Sequence, residues 1–150
     1  MTRMTARAGV DLPLPADQAW RLAKRTATQL YLSKSVFGYG GELPPVREEG
    51  YEATHRLLLW GAIPAWNHWQ RFERVDETTR EIVLHERGGP YKRWIHHQRI
   101  DEAGDERSRF DESIEFDAGL LTPIIWIGAQ LLCRSRVRRF SELARIISPD

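Results

Sequence analysis

Between Tyr51 and Phe116 the chain repeats one kind of segment five times in succession. The segments are YEATHRLLLW, AWNHWQRFERV, REIVLHER, YKRWIHHQRI and RSRFDESIEF, joined by GAIP, VDETT, RGGP and DEAGDE. Each segment is of strand length and rich in β-branched or aromatic residues, and each join carries turn chemistry. Joins this short permit only antiparallel neighbours, because a parallel pair needs a long crossover. The central expectation is therefore an antiparallel meander. The hairpin Gly61–Pro64 is expected at one end of it.

The flanking sequence adds a strand before the meander and helices on either side. Met4, Ala6, Ala8, Val10 and Leu12 alternate with Thr5, Arg7, Gly9 and Asp11, the period of a half-buried strand. Pro13 and Pro15 end it. Pro15 suits a helix start, with Asp17 in the first turn where negative charge is favoured. That helix spans ADQAWRLAKR and gathers Ala19, Trp20 and Ala23 on one side; a second short helix is expected over Ala27–Ser33. Residues 38–50, rich in Gly and Pro, read as a loop with a short edge strand around Val46. From about Leu120 to Ile147 a helical stripe appears: Trp126, Ala129, Cys133, Val137, Phe140, Ala144 and Ile147, widened by Leu132 and Leu143. Such a helix is ~40 Å long at 1.5 Å per residue. The first strand cannot bury its apolar face alone, so it must join the meander in one sheet. The class is α+β: a curved antiparallel sheet wrapped around a long C-terminal helix, with space between the two.

The 150 residues suit one domain, 1–150. With 22 Lys+Arg against 21 Asp+Glu, the charge balance argues against a nucleic-acid partner. A lone cysteine, Cys133, excludes an internal disulfide and a cysteine-based zinc cage. The opening MTRMTARAGV lacks the apolar segment of a signal peptide, and GLLTPIIWIGAQLLC is too short for stable membrane insertion. A soluble cytoplasmic protein is expected. Six tryptophans suit either core packing or, on strands, the wall of an apolar cavity.

Three stretches in this order carry a family resemblance: VDLPLPADQAWRLA, then GGPYKRWIHHQRID, then SRFDESIEFDAGLLTP followed by LLCRSRVRRFSELARII. They resemble, respectively, the P-x-x-x-x-W entry to the first helix, the GPF-x-x-W-x-H-x-H-x-F strand, and the T-x-x-x-D-x-V-x-Y…G and Y-R-x-R-x-x-x-L patterns of the SRPBCC superfamily. That superfamily includes START-related domains, Bet v 1-like proteins and polyketide cyclase/dehydratases. The resemblance is strongest to bacterial members of the polyketide cyclase/dehydratase type and covers most of the chain. It implies the helix-grip fold and a cavity for hydrophobic ligands between sheet and long helix. Some members are enzymes and others only bind or carry. Two positions depart from the pattern: the second histidine is replaced by Gln98, and the aspartate by the longer Glu112.

Alternation divides YKRWIHHQRI into two faces. Trp94, His96, Gln98 and Ile100 share one; Tyr91, Arg93, Ile95, His97 and Arg99 share the other. Arg93 and Arg99 favour solvent for the second face. In the next strand Ser108, Phe110, Glu112, Ile114 and Phe116 form the apolar face. Counting outward from the hairpin at Ala103–Gly104 places Glu112 near His96, within a residue or two. A buried His–Glu pair suits acid–base work near neutral pH. His96 and Glu112 are thus the candidate catalytic residues. Trp94, Gln98, Phe110, Ile114, Trp60, Trp66, Gly128 and Leu132 are the candidate ligand-binding residues.

The expected function is binding of a small hydrophobic or aromatic, polyketide-like molecule, with cyclisation or dehydration by His/Glu acid–base chemistry, as in secondary metabolism. A non-catalytic carrier or sensor is the open alternative. No cofactor is expected; zinc held by His96, Glu112 and His68 finds no HxH or HExxH spacing in support. Which face of 65–73 looks inward stays open: Trp66, His68, Gln70 and Phe72, or Asn67, Trp69, Arg71 and Glu73. The basic run RSRVRR, residues 134–139, reads as a solvated helix face with Val137 inward. An anionic partner such as an acyl carrier protein, or a second copy of the chain, remains a further partner to be considered.

Overall fold

A computed structural model describes residues 3–148; the first two and last two positions of the expected 1–150 domain lie outside the described residues. The element order is β1 (Arg3–Leu12), α1 (Ala16–Lys24), α2 (Thr26–Ser33), β2 (Phe37–Gly40), β3 (Glu52–Leu59), β4 (Ile63–Asp76), β5 (Glu81–Gly88), β6 (Tyr91–Glu102), β7 (Ser108–Asp117) and α3 (Thr122–Ile147). A single 3-10 turn, Gly119–Leu121, leads into α3. The seven strands form one sheet in the order β1-β7-β6-β5-β4-β3-β2, every pair antiparallel. This is the expected α+β architecture, a curled sheet gripping one long helix. The chain's first strand closes on its last, from Arg3 opposite Asp117 to Leu12 opposite Ser108.

The sheet curls because its ladders are interrupted. Register shifts fall between Arg56 and Leu58, between Phe72 and Arg74, and between Glu86 and Gly88. Each shift adds a residue to one strand, bends it and sharpens the local twist. The concave face so formed receives α3, whose inner stripe buries Ala129, Cys133, Val137, Phe140 and Ala144. One part of the core joins Leu12, Leu14, Trp20, Ile100, Phe110 and Phe140; another joins Ala6, Ile114, Phe116, Ala129 and Cys133.

Two local expectations are corrected. The edge strand is Phe37–Gly40, not a segment around Val46, which makes only an isolated bridge to Arg25. Gly38 permits that edge: a Cβ there would stand 3.0 Å from the Gly61 backbone. The turn between β3 and β4 also begins earlier than Gly61. Trp60 occupies a left-handed conformation, φ 53°, and Ile63 and Pro64 already belong to β4.

Candidate functional site

Alternation on four adjacent strands brings a run of histidines and glutamates to the concave face. His68 comes from β4, Glu86 from β5, His96 from β6 and Glu112 from β7. Register places Gln70 opposite Glu86, Glu86 opposite Trp94, and Gln98 opposite Glu112, so the four side chains form a diagonal row. His68 Nε2 lies 2.7 Å from Glu86 Oε1, and His96 Nε2 lies 2.6 Å from Glu112 Oε1. Glu86 Oε2 approaches His96 Nδ1 to 4.0 Å, which links the two pairs. The expected placement of His96, Gln98 and Glu112 on one interior face is what the structure has, and His97 lies on the outer face beside Glu81.

The row is held from the opposite side by two buried arginines. Arg136 of α3 donates from Nε to Glu112 Oε1 at 2.8 Å, and its terminal nitrogens reach Ser33 Oγ and Gln29 Oε1 of α2. Arg47, from the loop after β2, donates to Gln98 Oε1 at 2.7 Å and to the Ala23 carbonyl at 3.4 Å. Both of these bonds use one terminal nitrogen, Nη1. Gln98 in turn donates to Glu112 Oε1 at 2.9 Å and to Gln29 Oε1 at 3.0 Å. Two glutamates and two arginines balance in a region where unpaired charge would be costly.

These contacts set the ionisation of the row. Burial pushes the Glu112 carboxyl up, but the Arg136 charge, then His96 and the Gln98 hydrogen bond, bring it down to about 2. Burial likewise opposes ionisation of Glu86, yet its hydrogen bond with His68 and the nearby positive charges hold it below the usual carboxylate range. Burial, with the Arg136 charge beside it, lowers Arg47 to about 10, so it remains a cation at neutral pH. Tyr39 and Tyr91 are pushed up, foremost by burial and then by Glu86, and keep their hydroxyl protons.

Donor logic then separates the two histidines. An ionised carboxylate only accepts, so the nitrogen facing it must carry the proton. His68 Nε2–H donates to Glu86, and its Nδ1 accepts from the Tyr91 hydroxyl at 3.0 Å. Both of its nitrogens are engaged. His96 Nε2–H donates to Glu112, while its Nδ1 accepts no hydrogen bond from the described residues. That nitrogen is open to a guest.

The cavity beside this row has a volume of about 100 Å³. Its apolar lining includes Leu30, Phe37, Leu57, Phe72, Leu84 and Ile114, and its polar lining includes Arg47, His68, Glu86, His96 and Arg136. Roughly 150 Å³ takes a benzene ring. Even a guest of one ring must therefore displace wall side chains. Among the described residues, no group of three or more His, Cys, Asp or Glu side chains is placed to hold a metal ion.

The candidate ligand residues divide. Trp94, Ile114 and Leu132 line the cavity, and Gln98 lies directly behind Arg47. Phe110 does not line it; it is fully buried against Phe140, ring centroids 4.8 Å apart. Trp60 stands 65% exposed at its hairpin tip, since a left-handed turn residue directs its side chain away from the sheet. Trp66 packs under the β5–β6 hairpin, where a Cβ on Gly89 would fall 2.5 Å from its ring. Gly128 lies on the solvent side of α3 and leaves no volume facing the sheet. Of the six tryptophans only Trp94 is a cavity residue.

Arg136, Arg47, Glu86 and Tyr39 were missed by sequence reasoning. Arg136 is only 3% exposed, which corrects the reading of RSRVRR as a solvated face. Its signal was present: it lies three residues after Cys133 and four before Phe140, on the buried stripe. Glu86 shares alternation with Ile82 and Leu84, and was equally legible. His68, Gln70 and Phe72 prove to be the inner face of β4. Arg47 sits in an aperiodic loop and gave no signal.

No family model and no curated protein matches this sequence. Solved structures do match along nearly its whole length. A START superfamily protein from Mycobacterium smegmatis superposes with TM-score 0.71 at 8% identity, covering 96% of this chain and 99% of that one. The Zhui aromatase/cyclase from Streptomyces sp. R1128 gives 0.66 at 18% identity, covering 99% and 98%. Norcoclaurine synthase from Thalictrum flavum, in complex with dopamine and hydroxybenzaldehyde, gives 0.68 at 12%, covering 95% and 86%. The chain has the START-like helix-grip fold; identities this low bear on the fold alone.

Proposed function

We propose that the chain acts as one ligand-binding domain and takes a small, largely apolar or aromatic, polyketide-like molecule into this cavity. There it promotes cyclisation or dehydration by acid–base chemistry at His96. The observation that carries this reading is the unengaged Nδ1 of His96, on a ring whose other nitrogen is bonded to Glu112, ionised at neutral pH. This is the arrangement by which a carboxylate fixes a tautomer and stabilises the imidazolium that forms. An aromatase/cyclase among the structural neighbours supports it.

The steps use groups in place. His96 Nδ1 takes a proton from the carbon beside a substrate carbonyl; that C–H pair moves into an enolate. Arg47 has Nε and one terminal nitrogen without an acceptor among the described residues, and these donate to the enolate oxygen. The enolate carbon attacks a second carbonyl carbon, forming the C–C bond. The resulting alkoxide recovers the proton from the His96 imidazolium. His96 Nδ1 then removes a second proton from the carbon beside the first carbonyl; the pair returning from the enolate forms the C=C bond and expels the hydroxyl, which takes that proton back from the imidazolium and leaves as water. Glu86, 4.0 Å from Nδ1, adds its charge to the stabilisation of the imidazolium.

The molecule that co-purifies with the chain is to be identified by native mass spectrometry and offered back to the apo protein. The wild type is expected to convert it, and His96→Ala to bind it without conversion. Binding without conversion by both proteins would instead assign the cavity to a carrier or sensor. The chemistry fits a soluble cytoplasmic enzyme of secondary metabolism, and no helix of the described residues is long and apolar enough to cross a membrane.

A further inference from the structure

Two arginines are buried against the polar row, and only one of them has a counter-ion. Arg136 is paired with Glu112 at 2.8 Å. Arg47 is 4% exposed, yet among the described residues no carboxylate stands within ion-pair distance of it. Its partners are neutral: Nη1 donates to the Gln98 amide oxygen and the Ala23 carbonyl, and the Phe72 ring centre lies 5.1 Å from Cζ. A buried arginine is ordinarily paired, because an unpaired charge loses its hydration without compensation. Burial and the Arg136 charge both act against this cation. Glu112 is bonded to Arg136 and Glu86 to His68, so both act on Arg47 only at a distance.

The unused part of Arg47 has a definite shape. Nε and Nη2 lie side by side along one edge of the guanidinium, with N–H bonds pointing the same way. That whole edge lacks an acceptor among the described residues. Its direction is fixed from behind: the Arg47 backbone N–H donates to the Lys24 carbonyl at 2.8 Å, and Gln98 and Ala23 hold Nη1. Arg47 lines the cavity together with Leu57, Phe72 and Leu84. Such an edge takes two oxygens in one plane, and a cation favours a charge on one of them.

We propose that this edge is a carboxylate subsite, and that the molecule taken up is an oxo acid whose carboxylate and neighbouring carbonyl oxygen share Nε and Nη2 of Arg47. The carbonyl half rests on the acid–base reading of the cavity; the carboxylate half stands on Arg47 alone. Both 2-oxo and 3-oxo acids bring the two oxygens within reach of one edge. Glu86 sets the orientation. It lines the same cavity and repels a carboxylate, so the acid end is held at Arg47 and the C–H beside the carbonyl is left toward His96. On enolisation the new charge develops on an oxygen already bonded to the guanidinium, so no donor has to move. A ligand with carbonyl groups alone would leave Arg47 an unpaired cation until the proton had been removed.

The cavity is about 100 Å³, so the probes are the smallest oxo acids, pyruvate and acetoacetate, each against its methyl ester. The ester keeps the oxygens and loses the charge. Dissociation constants come from NMR titration of the full chain. At least one acid should bind roughly 10- to 100-fold more tightly than its ester, the usual gain of hydrogen bonds to a charged group. Which acid does so assigns the spacing of the two groups. Arg47→Met should abolish the preference, and Arg47→Lys, a point charge with no edge, should lower it roughly tenfold. Where a variant fails to fold, the wild-type ratios decide alone. Equal affinity of acid and ester in both pairs, or no binding of either acid, overturns the proposal, as does a preference that survives Arg47→Met. Exchange of C–H protons for deuterium, beyond the rate in buffer, is followed in the same samples and separates the subsite from the acid–base reading. Exchange of the esters without preference for the acids refutes the subsite and leaves His96 its role. Preference without exchange keeps the subsite and removes that role.

Discussion

His68 and His96 have the same kind of partner, a buried glutamate at 2.6–2.7 Å, yet only one of them has a nitrogen to spare. The Tyr91 hydroxyl makes the difference by occupying His68 Nδ1. At the residue scale this predicts an asymmetry. His96→Ala should lower turnover by about 10²–10⁴, the usual contribution of a positioned acid–base group. His68→Gln, which keeps a donor toward Glu86, should lower it far less. Steady-state rates of the two variants on the co-purified substrate check this; equal losses would contradict it. A second prediction concerns Arg136, whose removal leaves Glu112 as a buried unpaired charge. Arg136→Met should cost about 3–5 kcal/mol in urea unfolding, and Arg136→Met with Glu112→Leu should recover most of it. The pH dependence follows from the same pair. The folded Glu112 sits at about 2, below an ordinary carboxylate. Its contribution to stability is therefore complete above the unfolded value and is lost as pH falls toward 2. Glu112→Gln should flatten the acid limb of the unfolding midpoint against pH. His96 and Glu112 were legible because strand alternation sorts side chains by face. Arg47 was not, because its position depends on the path of a loop.

The elements explain why some aromatic residues missed the cavity. Trp66 and Trp60 belong to strands or turns whose register is broken: one faces the Gly88–Gly89 hairpin, the other a left-handed turn. Alternation leaves the face of 65–73 open and ends at the turn after Trp60, so it fixes the direction of neither side chain. Gly88 and Gly89 hold positive φ, 147° and 57°, with the Trp66 ring beneath them. Gly89→Ala should destabilise by more than the ~1 kcal/mol of an ordinary loop substitution, because no alanine fits both the conformation and the contact. Phe110 belongs to the core between β7 and α3. Phe110→Ala should cost about 3–5 kcal/mol in stability while ligand affinity, measured at a temperature where the variant stays folded, changes little. A large affinity loss there would return Phe110 to the binding site.

At the scale of the molecule, the sheet order followed from the chain order. Short joins forced the meander, and the need to bury the first strand's apolar face closed β1 on β7. What the pattern did not contain was the long-range polar closure: α3 reaches through Arg136 to Glu112 on the sheet and to Gln29 and Ser33 on α2. That closure joins three elements far apart in sequence, and makes the wall of the cavity and its chemistry one structure. The central claim is that His96 moves a proton on a bound carbonyl compound. Its most direct measurement is mass spectrometry of the co-purified ligand incubated with the apo protein in deuterated water. Wild type should place deuterium on carbon beside the carbonyl, or yield the ring-closed or dehydrated product, while His96→Ala binds the same ligand and leaves it unlabelled. Ligand recovered unlabelled and unchanged from the wild type, at full occupancy, would contradict the claim.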